Sequence, residues 1–161
     1  MTAQIVAIHL SDTAGAPMRS VARVQAVAGV GLEGDRYATR QGHWSPIRRA
    51  GDQLTLIEQE VLRELDAAHG FGLLNGNSRR NVTTAGIRLD ELIGRRFRLG
   101  EAVCRAVRRC EPCSYLEGLL GRPVLVPLVH RGGIRVEILE GGAIAVGDAI
   151  EPLDEDVAAT A

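Results

Sequence analysis

A chain of 161 residues, 45% apolar and 24% charged, with a formal net charge of −1, has the composition of one soluble globular domain large enough to bury a core. The balanced charge gives no basis for non-specific nucleic-acid binding. No apolar run reaches the roughly 18 residues of a membrane span, and "MTAQIVAIHLSD" lacks the basic start and cleavage site of a secretion signal. With an odd total of three cysteines, the expectation is a cytoplasmic protein with no disulfide scaffold.

The predicted elements begin with a strand at "QIVAIHL" (4–10) and a second at "SVARVQAVAGV" (20–30). "GVGLEGDRY", with glycines at 29, 31 and 34, reads as a turn-rich loop in which Glu33 and Asp35 serve the turn or orient an arginine. Residues 38–52 lack periodicity and read as a surface loop. A long helix is predicted over 58–70: Val61, Leu62, Leu65 and Ala68 share a face, Thr55 and Glu58 have capping-box spacing, and Gly70 is a stop. "GFGLLNGN" follows as loop.

Strands resume after Arg79. "RFRLGEAVCRAV" (96–107) predicts a hairpin turning at Gly100-Glu101, and "GAIAVGDAIEPL" (142–153) a second of the same form turning at Gly147-Asp148. Short strands, glycine turns and few helices predict a mainly β fold, a closed or nearly closed barrel with peripheral helices. A single domain is expected over 1–153, with 154–161 a frayed tail.

All 19 basic residues are arginine. Without lysine the chain cannot hold pyridoxal phosphate as a Schiff base, and any bound oxyanion would be met by guanidinium forks or backbone amides.

The stretch "RRCEPCSYLEGL" (108–119) places Cys110 and Cys113 around a proline. Ser114 and Glu117 have capping-box spacing, and Leu116, Leu119 and Leu120 give a short apolar face, so a helix is predicted to start at Ser114. Cys113 then precedes a helix N-terminus, where free amides and the positive dipole end favour a thiolate; Arg108 and Arg109 add to this if they fold back. Cys110 is a candidate second, resolving thiol. The competing reading is a packed, inert cysteine. A zinc site would need Cys104 and His130 to complete it, since no second ligand pair exists in the sequence, and a thioredoxin-like pair lacks its βαβ context.

Two further clusters bear polar groups at element edges: Arg79, Arg80 and Asn81 in "SRRNVTTAGI" (78–87), and His130 and Arg131 before the Gly132-Gly133 pair in "VHRGGIRVEILEGG" (129–142). Glycine pairs permit close backbone approach to a ligand. Three clusters of this kind predict one anion-accepting pocket.

In order along the chain, "GLEGDRY", "DQLTLIEQEVL", "RRNVTTAGIRLDELIGRRFRLGEAV", "RRCEPCSYLEGL" and "LVHRGGIRVEILEGGAIAVGDAI" resemble MOSC domains, the family named for the C-terminal domain of molybdenum cofactor sulfurase, over roughly residues 20–151. The resemblance is to a small stand-alone bacterial type, which implies no aminotransferase-like desulfurase domain. It implies a β-barrel and either a molybdenum-pterin cofactor (molybdopterin) as ligand or sulfur carried on a cysteine to a metal–sulfur centre. The family's characteristic cysteine corresponds to Cys113, which would ligate molybdenum or bear a persulfide, and its Arg-Asn block to Arg80 and Asn81. A thiolate at a helix start suits either role. Arg79, Arg80 and Arg131 suit the phosphate and pterin edge, Asn81 an oxo group or the ring, and His130 proton transfer. The implied partners are a separate pyridoxal-phosphate-dependent cysteine desulfurase or a molybdoenzyme. From another functional class, the same residues fit a non-catalytic binding module whose Cys110–Cys113 pair holds a structural metal or acts as a redox switch.

Overall fold

A computed structural model describes residues 2–40, 51–112 and 114–153. The fold is mainly β. Its strands are β1 (Gln4–Leu10), β2 (Arg19–Val21), β3 (Arg23–Val27), β4 (Gly31–Leu32), β5 (Leu54–Glu58), β6 (Val82–Ala85), β7 (Arg96–Leu99), β8 (Ala102–Arg109), β9 (Ile134–Glu140), β10 (Gly142–Ala145) and β11 (Ile150–Pro152). The helices are α1 (Gln59–His69), α2 (Ser114–Leu120) and α3 (Leu125–Leu128), with one 3-10 turn at Leu89–Leu92.

Eight strands form one sheet in the order β11-β7-β8-β9-β5-β6-β1-β2, and β10-β3-β4 form a second. Among the described strands, only β5 and β6 form a parallel ladder. The ladders remain two sheets and do not close into the expected barrel. The β11 end is instead tied to β1 by an isolated Gln4–Ala149 bridge and by the Ile5 amide donating to Asp148 O at 2.9 Å.

The expected second strand breaks at Ala22. Its first part pairs with β1 and its second with β10, so the chain changes sheet there, and Val27 ends the run where the Val30 amide donates back to its carbonyl. The 96–107 hairpin forms as expected, β7 pairing with β8. The 142–153 hairpin does not: β10 pairs with β3, and β11 with β7. The two turns pack on each other, with the Gly100 amide donating to Ala149 O at 3.2 Å, and the strands that flank the second turn go to different sheets.

Strand β5 is absent from the sequence reading. Leu54, Thr55, Leu56 and Ile57 are all buried, because β5 lies between β9 and β6 and is covered on both sides. A strand buried on both faces shows no polar alternation. Thr55 therefore lies in a strand rather than a capping box; Glu58 is the helix N-cap and makes no side-chain cap. The helix otherwise follows expectation, burying Leu62 and Leu65 and ending at Gly70 in the left-handed conformation, although Ala68 is exposed.

Two apolar clusters result. One fills the space between the sheets around Ile5, Ile8, Leu56, Phe97 and Ile138. The other joins Ile57 on the outer face of β5 to Leu62, Leu65, Leu116 and Leu128 of the three helices, which fixes α2 against the sheet. Among the described residues, no helix is long and apolar enough to cross a membrane. The expected tail, 154–161, and residues 41–50 of the expected surface loop lie outside the described residues.

Candidate functional site

The three polar clusters converge on one side chain. Arg80 is 8% exposed. Its Nε donates to Gly132 O at 2.8 Å, its Nη2 to Cys110 O at 2.9 Å and its Nη1 to Ser78 O at 3.4 Å. The Cys110 amide donates to Gly133 O at 2.8 Å, so one backbone bond joins the two loops to each other and the guanidinium holds both to the segment before β6. A Cβ at Gly132 would collide with Cys110 O, and one at Gly133 (φ +92°) with Leu56 O. The glycine pair thus admits neighbouring protein backbone, where the sequence suggested a ligand.

Asn81 is fully buried. Its Oδ1 accepts from the Thr55 amide at 3.1 Å and hydroxyl at 3.2 Å, and its Nδ2 donates to His9 O at 3.2 Å. These bonds pin β5 to β1 across β6 and engage both ends of the side-chain amide.

Arg79 has φ +65° and a half-buried side chain whose Nη1 donates to Ala16 O. Its carbonyl accepts from Arg36 Nη2 at 3.0 Å. Burial, and next the Arg36 charge, push the Arg79 pKa down against the pull of Tyr115, Tyr37 and Asp35. Arg36 is itself buried: Nη1 lies 3.2 Å from Asp35 Oδ1, Nη2 donates to Tyr37 Oη at 3.1 Å, and Cζ sits 4.3 Å from the Tyr37 ring centroid. Asp35 also accepts from the Ser11 and Tyr37 amides. Asp35 therefore orients an arginine, but it is Arg36, which the sequence reading had not singled out; Glu33 is exposed, and its amide donates to Gln25 O.

Arg135 on β9 was also missed. Burial acts to lower its pKa, but Cys110, Tyr37 and Asp52 outweigh this, and a hydrogen bond to Tyr37 helps hold the guanidinium above its ordinary value. Arg36 carried a local signal, an adjacent opposite charge inside a glycine-bounded loop. Arg135 carried none, since "IRVEILE" reads as an ordinary alternating strand. Together Arg36, Arg79 and Arg135 make a cationic wall around Tyr37, with Cys110 at its edge.

Cys110 and Cys104 are buried free thiols. Burial pushes the Cys104 pKa up to about 12. Cys113 lies outside the described residues; α2 begins at the next residue, as expected. Glu117 does not close a capping box, its Oε1 accepting instead from the Leu125 amide at 3.1 Å. Among the described residues, no group of three or more His, Cys, Asp or Glu side chains gathers as a metal site. His130 and Arg131 face outward: His130 (φ +61°) meets Glu111 through its amide and Nδ1, both at 2.6 Å, and Arg131 Nη2 lies 2.6 Å from Glu64 Oε2. Arg109 pairs with Asp90 at 3.1 Å, and Arg108 with Asp52 at 3.6 Å.

The sequence model of the MOSC domain matches residues 31–151. No curated protein matches. Among solved structures, the chain is similar to the YUAD protein from Bacillus subtilis, with 20% identity, a TM-score of 0.76, and coverage of 94% of this chain and 96% of that one. It is similar to YiiM from Geobacillus stearothermophilus, with 17% identity, a TM-score of 0.71, and coverage of 98% and 78%. It is also similar to YiiM from Escherichia coli, with 17% identity, a TM-score of 0.68, and coverage of 94% and 70%. At these identities the likeness is one of fold.

Proposed function

This chain belongs to the MOSC domain family, and on that premise we propose that it binds a molybdenum-pterin cofactor, carries sulfur on Cys113 for delivery to a metal–sulfur centre, or does both in turn. The observation that carries the reading is the Arg80 clamp, which gathers the Ser78, Cys110 and Gly132 segments beside an arginine-rich wall.

The residues present suit such a group. Arg36 is buried and Arg79 half-buried; burial first, and then the Arg36 charge, lowers the Arg79 pKa, and an anion such as the pterin's phosphate would relieve the second of these. Arg79 and Arg135 are the side chains for that contact, with Arg36 behind them. Arg80 and Asn81 act through the backbone, as positioning residues. A bound molybdenum centre would supply oxygen- or sulfur-atom transfer, with the Cys113 thiolate as a soft ligand.

In the carrier role, the Cys113 thiolate attacks the outer sulfur of a persulfide on a separate cysteine desulfurase. A new sulfur–sulfur bond forms on Cys113 while the desulfurase cysteine leaves as its thiolate. The helix that starts at Ser114 favours the attacking thiolate. His130, held by Glu111 at the rim, is the candidate proton carrier there.

Incubation with a desulfurase and cysteine, followed by peptide mass mapping, tests the carrier role. Wild type should gain one sulfur on Cys113 and Cys113→Ser should gain none; a gain undiminished in that variant overturns it. Protein made in a molybdenum-replete host and analysed for metal and pterin tests the other role.

A further inference from the structure

A cavity of about 440 Å³ lies among β1, β2, β6, α1 and the loop that follows α1, within the ~300–1,000 Å³ range of small-molecule sites. Its polar wall comes from His9, Ser20, Gln59, Arg63, Asn75 and Thr83, and Leu62 and Leu74 add apolar surface.

His9 is the unusual member. It is 5% exposed, and its Nδ1 is buried with no hydrogen-bond partner among the described residues. Buried side-chain nitrogens without a partner are uncommon. Nor can the ring swing toward the 74–77 turn. A Cβ at Gly76 would already lie 2.7 Å from His9 Cδ2, so glycine there lets the turn pack hard against the imidazole. Burial pushes the His9 pKa down, which favours the neutral ring with one donor and one acceptor nitrogen.

The charge of the wall is one-sided. Among the described residues, Arg63 is its cation and no Asp or Glu lines the cavity. A guanidinium fork beside neutral amide and hydroxyl groups recognises an oxyanion, and the leucines offer an apolar bed.

We infer that this cavity is a second ligand site, for a small organic anion whose carboxylate or phosphate pairs with Arg63 while its body lies on Leu62 and Leu74 beside the His9 ring. The site is separate from the Arg80 clamp and does not depend on the thiol chemistry proposed above.

The test is a nuclear magnetic resonance titration of isotope-labelled full chain with 4-hydroxybenzoate and, separately, with 4-hydroxyphenyl phosphate. At least one probe should give saturable shifts at the His9 ring and the Arg63 side chain, and the tighter probe identifies the oxyanion. Arg63 is exposed on α1, so Arg63→Ala should keep its melting temperature while raising Kd roughly tenfold, as loss of a charge-assisted bond does. Cys113→Ser should bind as wild type does. Absence of saturable shifts with both probes, unchanged affinity in Arg63→Ala, or lost affinity in Cys113→Ser would each overturn the inference.

Discussion

Arg80 and Arg131 stand close to the same glycine pair and differ in nearly every physical respect. The guanidinium of Arg80 is buried and bonded to three backbone carbonyls from two other loops and its own. That of Arg131 has a side chain 36% exposed and meets a single carboxylate, Glu64, itself 66% exposed. A buried cation bonded to carbonyls joins segments far apart in sequence, and its removal leaves each carbonyl without a donor. An exposed cation paired to a carboxylate contributes little, because water replaces the partner. The comparison assigns the framework of the site to Arg80 and leaves Arg131 at its rim.

The largest effect that would break this comparison is at Arg80. Arg80→Ala should destabilise the fold by about 3–5 kcal/mol, since two well-aligned bonds and one longer one are lost in a buried setting. Arg80→Lys should recover only part of this, because an ammonium cannot reproduce the planar fork. Urea melts of both variants check the ranking. Stability equal to wild type in Arg80→Lys would show that charge alone, without the fork, holds the loops.

Asn81 should come next. Asn81→Ala removes the acceptor for the Thr55 amide and hydroxyl and the donor to His9 O. A loss of about 2–3 kcal/mol is expected, with faster amide exchange at Thr55. Unchanged exchange there would mean that β5 is held without it.

How much of this was legible in the sequence depends on how local each feature is. The hairpin at Gly100-Glu101 was legible because both strands follow the turn directly. The segment 142–153 has the same local form, yet its strands go to β3 and β7; partner choice is set by packing between the two turns, which no local pattern encodes. β5 was illegible because burial on both faces erases alternation, and its last residue runs straight into α1. At the site, the segments that converge were legible as clusters of Arg, Asn, His and Cys. Which atoms they turn outward was not: Arg80 and Asn81 are used within the fold, while Arg36 and Arg135 reach the wall from positions that look ordinary in the sequence.

The buried Cys104 thiol extends the comparison to pH. The Cys104 pKa is raised to about 12 by burial in β8, above an unfolded-state value of about 8.5. The folded state therefore keeps a proton that the unfolded state loses. The contribution is fully present below the unfolded pKa and declines as pH rises toward the folded one, with a slope approaching 1.4 kcal/mol per pH unit. Denaturant melts between pH 8 and pH 10.5 should show this extra slope in wild type and not in Cys104→Ala. Equal slopes would mean that Cys104 is not the group responsible.

The smallest effect should be at Arg131. Its contact with Glu64 joins the segment after α3 to the exposed side of α1, and neither side chain is desolvated enough for the charge to be felt strongly. A double-mutant cycle of Arg131→Ala and Glu64→Ala should give a coupling of about 0–1 kcal/mol, and that coupling should shrink further in molar salt. The Arg131 amide donates to Leu128 O at 2.8 Å whatever the side chain, so the backbone path into Gly132 survives the substitution. Arg131→Ala should accordingly leave the Arg80 clamp intact, with the Cys110 amide as protected from exchange as in wild type. A coupling above about 2 kcal/mol, or loss of that protection, would place Arg131 in the framework beside Arg80 and erase the difference between the two arginines.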